Sequence, residues 1–142
     1  MRIPARLHVI FARESRRAIV IRRGPSKRVC TIGWDRSNDS FELGQWFKGR
    51  VYHYRCDLSP NGKYFIYFAM TGRVPDSLGG SWTAISYAPF LTAVRIYAWG
   101  DCWNGGGVFQ DDTRYWVNSY PKIDNATLSV DDRLKQVSDP PI

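Results

Sequence analysis

The sequence predicts an all-β fold, and three observations predict it. Short runs rich in Val, Ile, Tyr, Phe and Trp recur along the chain, clusters of Gly, Pro, Asn, Asp and Ser separate them, and helical periodicity is nearly absent. The 142 residues fit one domain, large enough to bury a core. With 44% hydrophobic and 15% aromatic residues, the composition is far from that of a disordered chain.

The strands follow in order. "RLHVIFA" (6–12) and "RAIVIR" (17–22) come first, and the turn "RGPSK" leads into "RVCTIGW" (28–34). "DRSND", whose Asp and Asn tolerate left-handed backbone, precedes "FELGQWF" (41–47). Then come "YFIYFAM" (64–70), "WTAISYA" (82–88), "AVRIYAW" (93–99) and "GVFQ" (107–110), and the polar reversal "QDDTR" opens "RYWVN" (114–118). Short connections make sequential antiparallel pairing, a meander, the cheapest topology. "YFIYFAM" has no polar alternation, so that strand is expected to be buried on both faces. "SVDDRLKQV" (129–137) is the one helix candidate, with Ser129 as cap and Asp132 completing a capping box. The predicted organisation is a single all-β domain over 1–120 and a polar C-terminal tail over 121–142 holding that marginal helix.

"DLSPNGKYFIYFA" (57–69) carries the most specific turn: Pro60 fixes φ, and Asn61 and Gly62 supply the positive φ that a tight reversal needs. Comparable strand–turn–strand units have turns starting at Ala12, Ser59 and Gln110, spaced 47 and 51 residues apart. The units amount to two four-stranded sheets and half of a third. The Asp-x-Ser-Pro-Asn-Gly-Lys core resembles the turn of WD40-like repeats of the TolB type, and the run from Arg28 to Ala69 looks like uncharacterised bacterial proteins that carry this pattern. That resemblance implies blade-like sheets, an incomplete propeller, and brings no known activity. An incomplete ring leaves edges that a closed propeller hides. The chain therefore either folds into a compact sandwich or barrel, or docks against a partner or a second copy. In an open array, Tyr115 and Trp116 lie at the assembly edge; in a closed fold the first and last strands pair and Trp116 is core.

Charge is uneven. Residues 1–55 hold thirteen Lys/Arg against four Asp/Glu, and residues 56–142 hold seven against nine. An anionic partner facing the basic half is the expectation. Arg22, Arg23, Lys27 and Arg28 surround the "RGPSK" turn, and Arg16 and Arg17 are expected at the same end. Such a tip can grip phosphates or an acidic protein. Nucleic-acid binding would add stacking on Trp34, Tyr52, Tyr54, Trp99 or Trp103. "WGDCWNGGGVF" (99–109) is a second candidate: Trp99, Trp103, Asn104, Gly105, Gly106 and Gly107 form a loop whose glycine N–H groups can make an anion nest.

No constellation names a reaction. His53, Cys56 and Asp57 are close in sequence, but strand neighbours alternate faces, so no catalytic residue is assigned. Cys30, Cys56 and Cys102 have no zinc spacing and are expected as buried, reduced thiols, with no metal or cofactor. "NAT" (125–127) is read as an accidental glycosylation sequon. With no membrane-length apolar run and no signal-peptide pattern, a cytoplasmic protein without membrane contact is expected. The functional expectation is a non-enzymatic module that binds an acidic protein or self-associates, and the alternative is a nucleic-acid-binding protein.

Overall fold

The computed structural model describes residues 4–71, 79–99, 101–119 and 126–141. Three sheets stack in sequence order. The first is a meander of β1 (Arg6–Phe11), β2 (Arg17–Arg23), β3 (Arg28–Asp35) and β4 (Ser40–Lys48). The short β5 (Arg50–Val51), a 3-10 turn at His53–Arg55 and β6 (Asp57–Leu58) lead into β7 (Tyr64–Met70), β8 (Ser81–Tyr87) and β9 (Ala93–Ala98). These form the second sheet, in which β5 and β6 both pair with β7 and β12 (Leu128–Ser129) adds beside β9. The third sheet has the order β10 (Gly107–Phe109), β11 (Arg114–Val117), β13 (Lys135–Val137), with β13 parallel to β11. The architecture is all-β and the pairing is otherwise antiparallel.

The stack is held by two cores that share the middle sheet. Phe65, Tyr67 and Ala69 of β7 and Trp82 and Ala84 of β8 meet Ile19, Ile21 and Val29 of the first sheet. Tyr64 and Ile66 of β7 and Ile85 of β8 point the other way, against Phe109, Tyr115, Val117 and Leu134. Period-2 alternation thus feeds two cores from one strand, so a strand buried on both faces has no polar positions.

The turns at Ala12, Ser59 and Gln110 each open one sheet, joining β1 to β2, β6 to β7 and β10 to β11. They touch in succession: Glu14 N donates to Pro60 O at 2.9 Å, and Asn61 N donates to Asp112 Oδ1 at 2.8 Å. The stretch 57–69 is therefore a hairpin of the middle sheet whose turn is held between the hairpin turns of the other two.

Residues 129–137 form no helix. They end β12, turn at Asp131 and run into β13, so the segment belongs to the body of the fold. A nine-residue helix is too short to hold itself in water, and tertiary contacts overrule its capping signals. Asp131 is buried and accepts from Tyr64 Oη and Tyr87 Oη, both at 2.8 Å. Arg95, also buried, donates to Asp131 O, Leu134 O, Ser129 Oγ and Tyr115 Oη. Leu134 completes the second core.

The first and last strands do not pair with each other: β1 and β13 are edges of different sheets. Nor is β11 an edge. It lies between β10 and β13, which corrects the assembly-edge reading of Tyr115 and Trp116. Tyr115 is fully buried, its hydroxyl against Tyr97 Oη at 2.7 Å, while Trp116 is half-buried on the outer face in register with Val108 and Val137.

Hydrogen bonds from Arg133 first, then from Tyr64 and Tyr87, hold the Asp131 carboxyl well below the usual carboxylate range, against the opposing effect of burial. A folded-state pKa below the unfolded value makes Asp131 stabilising above pH ~4, and that contribution is lost as pH falls below it. Asp131→Ala is expected to cost roughly 2–4 kcal/mol at neutral pH in urea denaturation. It should also flatten the acid limb of the stability curve and speed hydrogen exchange at 135–137 first.

Candidate docking face and basic hairpin tip

One face of the first sheet packs on the middle sheet, and the cross-strand register defines the other. Its rows are Leu7–Arg22–Cys30–Trp46, Val9–Val20–Ile32–Leu43 and Phe11–Ala18–Trp34–Phe41. Eleven of these twelve positions are apolar. The inner strands shield Ala18, Val20 and Cys30, but at the flanks Leu7 is 64% exposed, Phe41 63%, Leu43 60% and Trp46 57%. Trp34 stacks on Phe41 with ring centroids 5.8 Å apart, and the Arg36 guanidinium lies 4.8 Å from the Phe11 ring centre.

A register shift between Cys30 and Ile32 lets β4 keep its apolar residues on this face at both ends. Gly44 sits at the shift because a β-carbon there would fall 2.3 Å from Pro89 O and 2.7 Å from Thr31 O. Gln45 at the same place reaches inward, its Oε1 accepting from Thr92 N at 2.7 Å. Trp46 thereby returns to the outer face.

The turn between β2 and β3 ends this sheet in a cationic tip. Arg6 is the direct cross-strand partner of Arg23, and Arg28 that of Lys48. Gly49 N donates to Lys27 O at 2.7 Å, which brings Arg50 to the same end. Arg6, Arg23, Lys27, Arg28 and Arg50 line a cleft of about 400 Å³ on one side of the turn. Arg22, Lys27, Arg28, Lys48 and Trp46 line a second on the other side, with the Arg22 guanidinium 5.7 Å from the Trp46 ring centre. The ion pairs among the described residues, Arg114–Asp111 and Arg133–Asp131, lie elsewhere.

Below the tip, Arg23 Nη1 donates to His53 Nδ1 at 3.0 Å, and His53 stacks on His8 with ring centroids 3.4 Å apart. Burial first, and then Arg23 and Arg6, lower the His8 pKa; burial, His8 and Arg23 lower that of His53. Both shifts favour the neutral ring, which is what an acceptor Nδ1 facing a guanidinium requires.

The structure places Arg22, Arg23, Lys27 and Arg28 at the one turn but divides them between its two sides: Arg22 lines one cleft, Arg23 the other, and Lys27 and Arg28 line both. Arg16 and Arg17 are not with them. Arg17 opens β2 and Arg23 ends it, so the pair lies at the far end of the sheet, roughly 20 Å away at ~3.3 Å per residue. There Arg17 faces Asp35 across the strands, an opposite-charge pair.

The glycine loop is no anion nest. Gly105 N donates to Asn118 O and Gly106 N to Thr83 Oγ1, both at 2.8 Å, so those N–H groups are already used. The glycines at 105–107 are buried where the chain crosses the middle sheet, and Asn104 and Trp103 give their N–H groups to Asp101 Oδ1. Trp99 is half-buried with Nε1 on Thr83 Oγ1, and Trp103 is exposed. Of the aromatics proposed for stacking, Trp34 alone belongs to the apolar face.

His53, Cys56 and Asp57 make no nucleophile system. Burial pushes the Cys56 thiol up to about 12, and its Sγ donates to Tyr52 O at 3.2 Å. Asp57, raised by burial, accepts from Phe109 N at 2.7 Å. All three cysteines are free; Cys30 is buried, whereas Cys102 is exposed, contrary to expectation. Asn125 of the "NAT" sequon lies outside the described residues. Among the described residues no helix is long and apolar enough to cross a membrane. Comparison with protein-family models, curated proteins and solved structures finds no match.

A β-carbon at Gly105 would lie 2.1 Å from Phe68 Cδ2, and its φ of +124° disfavours any side chain. Gly105→Ala is expected to destabilise by about 3 kcal/mol through overpacking and backbone strain. Thermal unfolding should show a lower Tm, and the loss should not change with added phosphate, as it would if the loop bound anions.

Proposed function

We propose that this domain is a non-enzymatic interaction module that docks an acidic partner protein on the outer face of its first sheet. The observation that carries the reading is the set of apolar side chains exposed at both flanks of three cross-strand rows, Leu7, Val9 and Phe11 on β1 and Phe41, Leu43 and Trp46 on β4, beside a cationic tip. A contiguous exposed apolar patch ringed by polar groups is the mark of an interaction surface. Four strands at ~4.8 Å and five residues at ~3.3 Å give it a projected size of roughly 19 by 17 Å. A standard interface buries about 800 Å² per partner. The contact therefore extends from the apolar rows onto the Arg and Lys rim, and the rim selects the partner's charge. A second copy is disfavoured, because its residues 1–55 carry the same excess of thirteen cations over four carboxylates.

Leu43→Glu, at an exposed position in the middle row, is expected to weaken partner binding at least thirtyfold while changing Tm little. Val130→Glu, exposed and outside these rows, is the control. Binding should also weaken as salt screens the rim. The measurement is co-purification from native lysate with nuclease, followed by affinity measurement with the recovered protein. An acidic protein lost with Leu43→Glu and kept with Val130→Glu supports the reading. Binding indifferent to Leu43→Glu overturns it, and a nuclease-sensitive ligand moves the assignment to nucleic acid.

A further inference from the structure

The two ends of the first sheet treat charge in opposite ways. At the far end, Arg17 stands opposite Asp35, and Asp39 and Glu42 are close in the chain. At the tip, both cross-strand pairs, Arg6 with Arg23 and Arg28 with Lys48, have the same sign. Like charges directly opposite on neighbouring strands destabilise a sheet. Solubility alone does not call for that arrangement, since the same cations spread over the surface would serve.

We propose that the cleft lined by Arg6, Arg23, Lys27, Arg28 and Arg50 is a binding site for an anion of two or more linked phosphate groups. Three features besides charge support it. Arg23, at the inner wall, is held by its bond to His53 Nδ1, and His53 is fixed by the stack on His8, so one guanidinium is set in place before any ligand arrives. The rim is built on backbone: Gly24 N donates to Arg28 O at 2.8 Å and Gly49 N to Lys27 O at 2.7 Å. The turn between them holds Ser26 in the left-handed region at φ +63°, a conformation rare outside glycine. Among the described residues, no carboxylate side chain lines the cleft.

The number of cations decides the ligand class. A phosphate monoester carries about −1.5 to −2 at neutral pH, less than half of what five cations can neutralise. Guanidinium forks match phosphate oxygens in pairs, and four of the five cations are arginines. A linked di- or triphosphate satisfies the cleft where one phosphate leaves most of its charge uncompensated. The cleft shares Lys27 and Arg28 with the cationic rim of the docking face but none of its apolar rows, so Leu43→Glu tests that face, pyrophosphate tests the cleft, and each can fail without the other.

The test uses the full chain with pyrophosphate, tripolyphosphate, inorganic phosphate and sulfate as probes, by isothermal titration and thermal shift at constant ionic strength. Pyrophosphate is expected to bind at least tenfold tighter than phosphate or sulfate and to raise Tm. A further tenfold gain for tripolyphosphate would indicate three phosphates, and equal affinity would indicate two. Arg6→Ser with Arg50→Ser should weaken pyrophosphate at least tenfold, and Arg114→Ser and Leu43→Glu should leave it unchanged. Without anion, Arg6→Ser should keep or raise Tm, since it removes a like-charge pair. A structural role for Arg6 would lower it. Pyrophosphate binding no tighter than sulfate, or unaffected by the paired tip substitutions, overturns the proposal.

Discussion

Strand β7 sends Phe65, Tyr67 and Ala69 toward the first sheet and Tyr64 and Ile66 toward the third, and everything else in the molecule is arranged around that double burial. A strand with both faces in apolar surroundings has to satisfy its backbone within its own sheet. Its neighbours β5, β6 and β8 do so. Two tyrosine hydroxyls that enter the cores arrive with partners: Tyr67 Oη donates to Leu91 O, and Tyr64 Oη to Asp131. Removing the third sheet would strip the cover from Tyr64, Ile66 and Ile85. That is why the C-terminal segment is locked on by Arg95 and Asp131 through a set of directional bonds.

The same geometry creates the candidate function. In a stack of three sheets the middle one is covered twice and the outer two once. The outer face of the first sheet repeats the kind of apolar rows that are buried elsewhere, but faces solvent. It differs from a core face in its edges, where Arg22 enters an apolar row and Lys48 and Arg28 close one end. A docking face and a phosphate-binding tip on one sheet use different physics. The first depends on water leaving apolar surface, the second on charge-assisted bonds from a fixed fork.

Much of the architecture was legible in the chain. The turn at 59–62 was readable from Pro60, Asn61 and Gly62, and the lack of polar alternation in "YFIYFAM" announced burial on both sides. The basic tip could be placed because its four cations flank a single short turn. The face beside it was written in "RLHVIF" and "FELGQWF", where Leu7, Val9, Phe11, Phe41 and Leu43 alternate. It was missed because period 2 shows that a strand has an apolar side without showing whether another sheet covers it. Arg16 and Arg17 were misplaced for a related reason: closeness in sequence to Arg22 hides that an extended strand carries them to opposite ends.

Local chemistry by itself determined nine of the thirteen strands, most of the turns that join them, the unequal distribution of charge and, among the described residues, the absence of long helices, because each depends on residues within a few positions of one another. Tertiary structure alone decided the rest. It turned residues 129–137 from a helix candidate into two strands, since Arg95 and the Tyr64–Asp131 bond offer more than a nine-residue helix can hold by itself. It packed the glycines at 105–107 against Phe68, Arg55 and Trp116, where spacing suggested an open loop. And it left one apolar face bare, because which surfaces are buried is settled by how many sheets the chain can stack, a property of no single strand.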